Sequence, residues 1–177
     1  ITMAITLNGT TNVITPTTAV QPQHAIVNVH SVVKTDTASA EVGDGAISAV
    51  LFSTNYAAAS SSNKLLIQIN LSMGCDTSLI YPVLMIGGSE SAYRGDAAGD
   101  RARSSCPTHP GSDGVNDGAQ ITYLLSSPST SSTAYGVAFR HGNNATEAVY
   151  LNRSHNDVDA TWQARGASSI TIMEIQG

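Results

Sequence analysis

The chain has 177 residues and a mass of 18.3 kDa, the size of one ordinary domain. Charged residues make up 12% of the sequence, about half of the usual share, and the formal net charge is −5. With only two lysines, Lys34 and Lys64, the chain lacks the basic surface that binds nucleic acid or an anionic membrane. No segment approaches the ~18 apolar residues of a membrane span.

The first twenty residues differ in composition from the rest. ITMAITLNGT has neither the basic nor the apolar region of a signal peptide, and the residues that follow are rich in Thr and interrupted by Pro. We expect residues 1–20 to form a connector cut from a longer chain, or an edge strand exchanged with a neighbouring subunit. Residues 21–177 contain no repeat and no domain boundary, so we expect one domain there.

From residue 25 onward, most apolar segments alternate with period two. In KLLIQINLSM, the apolar residues Leu65, Ile67 and Ile69 alternate with a more polar set. This alternation is typical of antiparallel strands with one face in the core. The segments that share it are 25–33, 64–73, 120–126, 134–141, 147–153 and 168–175.

Two other segments, 46–54 and 79–87, are more continuously apolar and predict central or interface-facing strands. Pro82 makes the second a bulged or edge strand, because proline cannot donate to a ladder. Short breakers rich in Gly, Ser and Asn recur about every ten residues, and no segment has a helical period. About nine strands at this spacing predict an all-β fold, a two-sheet antiparallel sandwich of jelly-roll type.

The longest interruption is the segment 94–118, and a loop of that length is usually functional or folded upon itself. It begins with RGD, the tripeptide of integrin ligands, but a three-letter match arises easily by chance. Glycines between the charged residues allow tight turns. We therefore expect the charged side chains to pair with one another instead: Arg94, Asp96, Asp100, Arg101 and Arg103.

Metal-binding patterns are weak. Asp113, Asn116 and Asp117 could offer oxygens to calcium, but their order does not match an EF-hand, and Asx turns explain the same residues. Cys75 and Cys106 do not form a metal-binding spacing. We expect two unpaired, mostly buried thiols, with one disulfide as the alternative.

Catalytic patterns are weak as well. The histidines form neither HExxH nor HxH, and there is no GxSxG motif. We expect His30 to be a core or interface residue and His109 to be exposed. Glu174, on the last strand, is expected to face solvent or to pair with an arginine. These patterns predict a protein that is not an enzyme, with no catalytic residue, metal or cofactor.

Five segments occur in an order that matches a known family: SVVKTDTAS (31–39), SSSNKLLIQINLSMG (60–74), GDAAGDRARSS (95–105), LLSSPSTSSTAYGVAFR (124–140) and YLNRSHNDVDATWQARGASSITIMEI (150–175). Together they resemble a domain of bacteriophage virion proteins, found at the carboxyl end of tail fibres of marine and cyanobacterial phages. The match spans roughly residues 31 to 175, which is most of the chain.

The resemblance implies a non-enzymatic, all-β head domain of the virion, assembled as a homotrimer at or near a fibre end. Gly95–Arg103 is then a recurring family loop, and Arg94 completes RGD incidentally. The family varies at 75–94 and 106–118, where receptor specificity would be built. A lysine-poor surface rich in Ser and Thr suits weak, multivalent contact with sugars.

We therefore expect a phage virion structural protein, a tail-fibre or receptor-binding tip domain that attaches to a bacterial surface polysaccharide or another host receptor and contacts other virion proteins. One alternative is a purely structural part: a head fibre, a decoration protein, or a trimerisation or capping module. Another is a fragment of a depolymerase. A concave site with aromatic and acidic side chains within 75–118 would favour receptor binding. The candidate receptor-binding residues are Tyr93, His109, Asp113, Asn116, Asp117 and Trp162.

Overall fold

The computed structural model describes residues 5–7, 14–16, 24–75, 79–108, 116–142, 146–161 and 163–177, the first two ranges by their backbone alone. Most of the expected connector 1–20 therefore lies outside the described residues, and so do His109, Asp113 and Trp162. Within the connector, two short strands pair with each other antiparallel.

The described strands are β1 (Ile5–Leu7), β2 (Ile14–Pro16), β3 (Ile26–Lys34), β4 (Ala38–Val42), β5 (Phe52–Tyr56), β6 (Lys64–Cys75), β7 (Ile80–Ile86), β8 (Ser89–Glu90), β9 (Asp117–Ser126), β10 (Thr133–His141), β11 (Glu147–Leu151) and β12 (Ser168–Ile175).

Ten of these strands form two antiparallel sheets. In the larger sheet, β12 and β11 pair one after the other with the same edge of the long strand β6, and β9 pairs with its other edge. β3 lies beyond β12, and β4 lies beyond β11. The smaller sheet has the order β5-β10-β7-β8. Side chains of both sheets meet in one core, so the predicted all-β, two-sheet sandwich is confirmed.

Strand alternation decides which side chains enter that core. Leu65, Ile67 and Ile69 of β6 are fully buried, as the pattern predicts, and Ile170 and Ile172 of the neighbouring β12 are buried beside them. Full burial of each such side chain stabilises the fold by roughly 1.5–3 kcal/mol. β6 has partners on both edges and one face in the core, which explains why its alternation is the clearest in the sequence.

The strand predicted at 46–54 begins only at Phe52. The preceding residues follow β10 through separate backbone hydrogen bonds, such as Ser48 N–H to Phe139 O at 2.8 Å. Ile47 packs instead against Val83 and its neighbours on the outer face of the smaller sheet. The apolar run is therefore partly a cover for that face. β4, which the sequence did not predict, alternates small residues of low strand propensity.

The strand predicted at 147–153 ends at Leu151, because Asn152 turns the chain into a left-handed conformation with φ 63°. Asn tolerates this conformation better than most residues. Its buried side chain donates to the carbonyls of Lys34 and Asp36, both at 2.9 Å, and accepts from Ser168 Oγ at 2.6 Å. Asn152 thus joins the corner between β3 and β4 to β12.

The expectation that Glu174 faces solvent or an arginine is wrong. Glu174 is 1% exposed, since it shares the inward face of β12 with the buried isoleucines. Its carboxylate accepts hydrogen bonds from Tyr56 OH at 2.7 Å, Ala59 N–H at 2.8 Å and Asn63 Nδ2 at 2.6 Å. Burial disfavours ionisation, but these hydrogen bonds outweigh it and lower the pKa of Glu174. Burial and the bond to this carboxylate raise the pKa of Tyr56 to about 12.

Three further predictions concern single residues. His30 lies half-buried on the inner face of β3, with Nε2 2.7 Å from Thr54 Oγ1 of β5, so it is an interface histidine between the sheets. Cys75 is buried and Cys106 is half-buried, and no disulfide joins them. Along one edge of β7, Pro82 pairs with β10. Along the other edge, its carbonyl accepts a hydrogen bond from the backbone N–H of the loop residue Ser105.

Candidate functional site

Four of the six arginines of the chain line one cleft. Arg94, Arg101 and Arg103 come from the loop after β8, and Arg140 comes from the end of β10. The cleft has a volume of about 290 Å³. The rest of its wall consists of Asp44, Gly45, Gly99, Asp100, Ala102, His141 and Gly142. We call this site the arginine cleft.

Glu90 holds two of these arginines in place. The tight turn between β7 and β8 uses two glycines with positive φ and places Glu90 beside Met85. One nitrogen of Arg140 donates to both oxygens of Glu90, at 3.0 and 2.9 Å, and Arg94 lies 2.6 Å from Oε2. Burial opposes ionisation of Glu90, but the hydrogen bonds from Arg94 and Arg140 outweigh it and lower the pKa of the carboxyl.

The other two arginines have no carboxylate partner within the described residues. Arg103 donates from Nε to the Gly95 carbonyl at 2.6 Å, while the exposed side chain of Arg101 has no hydrogen bond there. The prediction that the charged residues of this loop pair with one another is therefore wrong. The loop closes through the backbone bond from Gly95 N–H to Ser104 O, which places Arg103 beside a carbonyl rather than beside Asp96 or Asp100.

The cleft is locally positive on a negatively charged chain. Its four guanidinium groups face two wall carboxylates, Asp44 and Asp100, while Glu90 is already bound to Arg94 and Arg140. The formal net charge of the chain is −5. Planar guanidinium groups donate two parallel hydrogen bonds to a carboxylate or a phosphate, and the wall carboxylates can accept from hydroxyl groups. The arrangement therefore suits a ligand with both an anionic group and hydroxyls.

Of the predicted receptor-binding residues, Tyr93, Asn116 and Asp117 lie in the described part of the chain, and none of them lines the arginine cleft. Tyr93 is half-buried and stacks on Tyr123 of β9, with ring centroids 4.7 Å apart. Asn116 precedes β9 and donates to the Ala164 carbonyl at 2.6 Å, and Asp117 begins the strand. Since Tyr123 lies six residue steps along β9 from Asp117, the two positions are roughly 20 Å apart. The structure does not bring these residues into one site.

The loop that Asn116 contacts borders a second, polar hollow of about 350 Å³. Its one arginine, Arg165, donates two hydrogen bonds to Asp157, at 3.0 and 2.7 Å, so both charges are already matched. Within the described ranges, no three His, Cys, Asp or Glu side chains converge as metal ligands, and Asp113 of the calcium hypothesis lies outside those ranges. The hollow therefore offers no unpaired cation among the described residues, unlike the arginine cleft.

A different surface covers the outer face of the larger sheet. The strand register places Val29, Met173, Leu66 and Leu124 side by side on four neighbouring strands. Val29 is 57% and Leu124 47% exposed. Ile26 and Ile175 pair in the next row. We call these residues the apolar rows: Ile26, Val29, Leu66, Leu124, Met173 and Ile175.

The apolar rows lie on a face with almost no charge. The following row consists of Ser31, Thr171, Gln68 and Thr122, and Ser31 Oγ lies 2.9 Å from Thr171 Oγ1. Among the described residues of β3, β6, β9 and β12 that alternate onto this face, Lys64 alone is charged. Lys64 pairs with Ile175 at the end of these rows. Apolar side chains with few charged neighbours are typical of the centre of a protein interface.

No helix among the described residues has the length and apolarity that a membrane crossing requires. Comparisons with known proteins add no relative: no protein-family model matches the chain, and no curated protein matches it.

Proposed function

We propose that this chain is a bacteriophage virion structural domain, the receptor-binding tip of a tail fibre, which assembles as a homotrimer and attaches to a bacterial surface glycan. The observation that carries the attachment function is the arginine cleft. It is concave, it draws Arg94, Arg101 and Arg103 from the 75–118 region, and two of its cations are uncommitted, although its described lining holds no Tyr, Trp or Phe of the aromatic and acidic site expected from the sequence. The five segments that resemble the tail-fibre domain support the same function.

The apolar rows support the assembly part of the proposal. At a strand spacing of about 4.8 Å, the outer face of β3, β12, β6 and β9 has an area on the order of 600 Å². A specific complex buries roughly 800 Å² per partner, so this face alone is close to the area that one such contact needs. Because the face carries almost no charge, a second copy of a net-negative chain can approach it without like-charge repulsion. A second copy of this chain is therefore the occupant that fits the face best.

A purely structural virion component is the second candidate. The apolar rows serve a trimerisation or capping module as well as they serve a receptor-binding tip. The arginine cleft is the feature that distinguishes the two, since a module that only caps a fibre has no use for uncommitted cations in a concave site.

Binding of the fluorescently labelled chain to cells of a panel of marine and cyanobacterial isolates tests the attachment function. We expect saturable binding to some isolates, and competition by the purified surface polysaccharide of the same isolate. The heat-unfolded chain is the control. An assembled, folded chain that binds none of the isolates would support the purely structural alternative. Release of reducing sugar from the polysaccharide would contradict the non-enzymatic part of the proposal and favour a depolymerase.

A further inference from the structure

We infer that the arginine cleft binds a single sugar unit that carries an anionic group, either a carboxylate or a phosphate. The inference deepens the proposed attachment function and rests on it for its biological meaning, because it names the chemistry of the glycan. The experiment below measures binding of defined small molecules to the chain. The chain can therefore bind cells without binding any of these small molecules, and it can bind a small molecule without binding cells.

Two arginines of the cleft supply hydrogen-bond donors that no described residue uses. Arg101 has no ion-pair partner among the described residues, and Arg103 uses only Nε, for the Gly95 carbonyl. The terminal nitrogens of Arg103 are therefore free to form the parallel pair of hydrogen bonds that a carboxylate or a phosphate accepts. A free guanidinium beside a cavity of about 290 Å³ provides both the charge and the space for such a group.

The other two arginines of the cleft form a fixed wall behind these donors. Glu90 binds Arg94 and Arg140, whose side chains are 32% and 20% exposed, so both are held in one orientation. Nε of Arg140 and both ring nitrogens of His141 are buried without a hydrogen-bond partner in the described part of the chain. Solvent does not reach these atoms, so they offer no hydrogen bond to a ligand in the cleft. The fixed wall that a ligand meets is the pair Arg94 and Arg140 on Glu90.

The carboxylates in the wall of the cleft favour a charged sugar over a bare anion. Asp44 and Asp100 lie in the wall and repel a simple anion, but their oxygens accept hydrogen bonds from hydroxyl groups. A sugar that carries one anionic group presents both kinds of partner. The volume of about 290 Å³ lies just below the roughly 300–1,000 Å³ range of ligand pockets, which fits one sugar unit rather than an oligosaccharide.

Titration of the ¹⁵N-labelled full chain, followed by NMR, tests the inference with four probes: glucuronate, glucose 6-phosphate, glucose and inorganic phosphate. We expect glucuronate, glucose 6-phosphate or both to shift the amide signals of residues 99–103 and 140–142, and the stronger of the two identifies the anionic group. Glucose should leave these signals unchanged, and inorganic phosphate should bind more weakly than either charged sugar that binds. Glucose that binds as tightly as both charged sugars would overturn the role of charge. Inorganic phosphate that binds as tightly as both would overturn the role of the sugar ring.

Variants separate the cleft from the rest of the surface. The double substitution Arg101→Ala and Arg103→Ala should weaken binding of the charged sugar by about tenfold or more. Arg165→Ala removes an arginine that is exposed and paired with Asp157, and it should leave binding unchanged. Unaltered signals from β6 and β12 establish that each variant is folded. The inference is overturned if the double variant binds like the parent, or if no charged sugar shifts the signals of the cleft.

Discussion

At the scale of single residues, the polar groups that matter most are those that the fold removes from water. Glu174 is a carboxylate in the interior of a sandwich, where burial raises its pKa but the hydrogen bonds from Asn63, Tyr56 and Ala59 lower it by more. These three residues lie around the connection from β5 to β6, while Glu174 lies on the last strand. The carboxylate therefore joins two distant parts of the chain.

Glu174→Gln tests this role. The amide keeps the size of the side chain but replaces one acceptor oxygen by a donor, so at least one buried donor loses its partner. We expect the free energy of unfolding to fall by roughly 2–4 kcal/mol at neutral pH, measured by urea denaturation. Glu41→Gln, at an exposed position of β4, is the matched control and should change it by about 0.5 kcal/mol at most.

The same residue predicts a pH dependence. Because folding lowers the pKa of Glu174, the folded state favours the ionised form. Its contribution to stability is present in full above the unfolded value of 4.5, and it is lost as the pH falls through the lower pKa of the folded state. The parent should lose more stability than Glu174→Gln between pH 6 and pH 3. Equal losses in both proteins would show that this carboxylate is not ionised in the fold.

At the scale of strands, alternation was informative where a strand has one buried face. The pattern of β6 predicted its inward residues correctly, and the same alternation along β12 places Glu174 inward with Ile170 and Ile172. The sequence prediction assumed that a carboxylate avoids the core, and the three donors that overcome this cost come from a loop that no periodicity describes. Residues 46–51 misled for a different reason, since they follow β10 through separate hydrogen bonds without forming a strand, and Ile47 covers the outer face of the smaller sheet.

The apolar rows give a prediction about association. Val29→Ser together with Leu124→Ser removes the two most exposed apolar side chains of the row that crosses four strands. We expect the assembled form to dissociate at a concentration at least about tenfold higher than that at which the parent dissociates, measured by sedimentation velocity. Stability of the single chain should barely change, because both positions are largely exposed.

Val158→Ser is the matched control for association, since Val158 is 51% exposed and lies in a loop away from these strands. It should leave the sedimentation behaviour of the parent unchanged. If the double variant associates as strongly as the parent, the outer face of the larger sheet is not the interface between copies.

At the scale of the whole molecule, the sandwich was predictable and the site only in part. Composition and strand spacing were sufficient for an all-β fold of two sheets. The charged residues of the segment 94–118 were recognisable in the sequence, but Arg140 and Asp44 were not recognisable as their neighbours, because both reach the segment only through the packing of separate elements. Tyr93 was proposed as a receptor contact, and the structure places its ring on Tyr123.

The larger sheet leaves an apolar face on which the described residues of β3, β6, β9 and β12 carry one charge, Lys64, while the loops beside the smaller sheet form a polar cleft. One surface suits contact between copies, and the other suits contact with a ligand. This division of surfaces is what a fibre tip requires, because three copies that bind weak sites together gain avidity from simultaneous contact.

The mass of the unmodified chain in solution, measured by light scattering before and after mild heating in detergent, tests the central claim most directly. Three copies of an 18.3 kDa chain predict a mass of about 55 kDa, and the assembly should resist the treatment. A mass of 18.3 kDa at every concentration would contradict the proposed fibre tip.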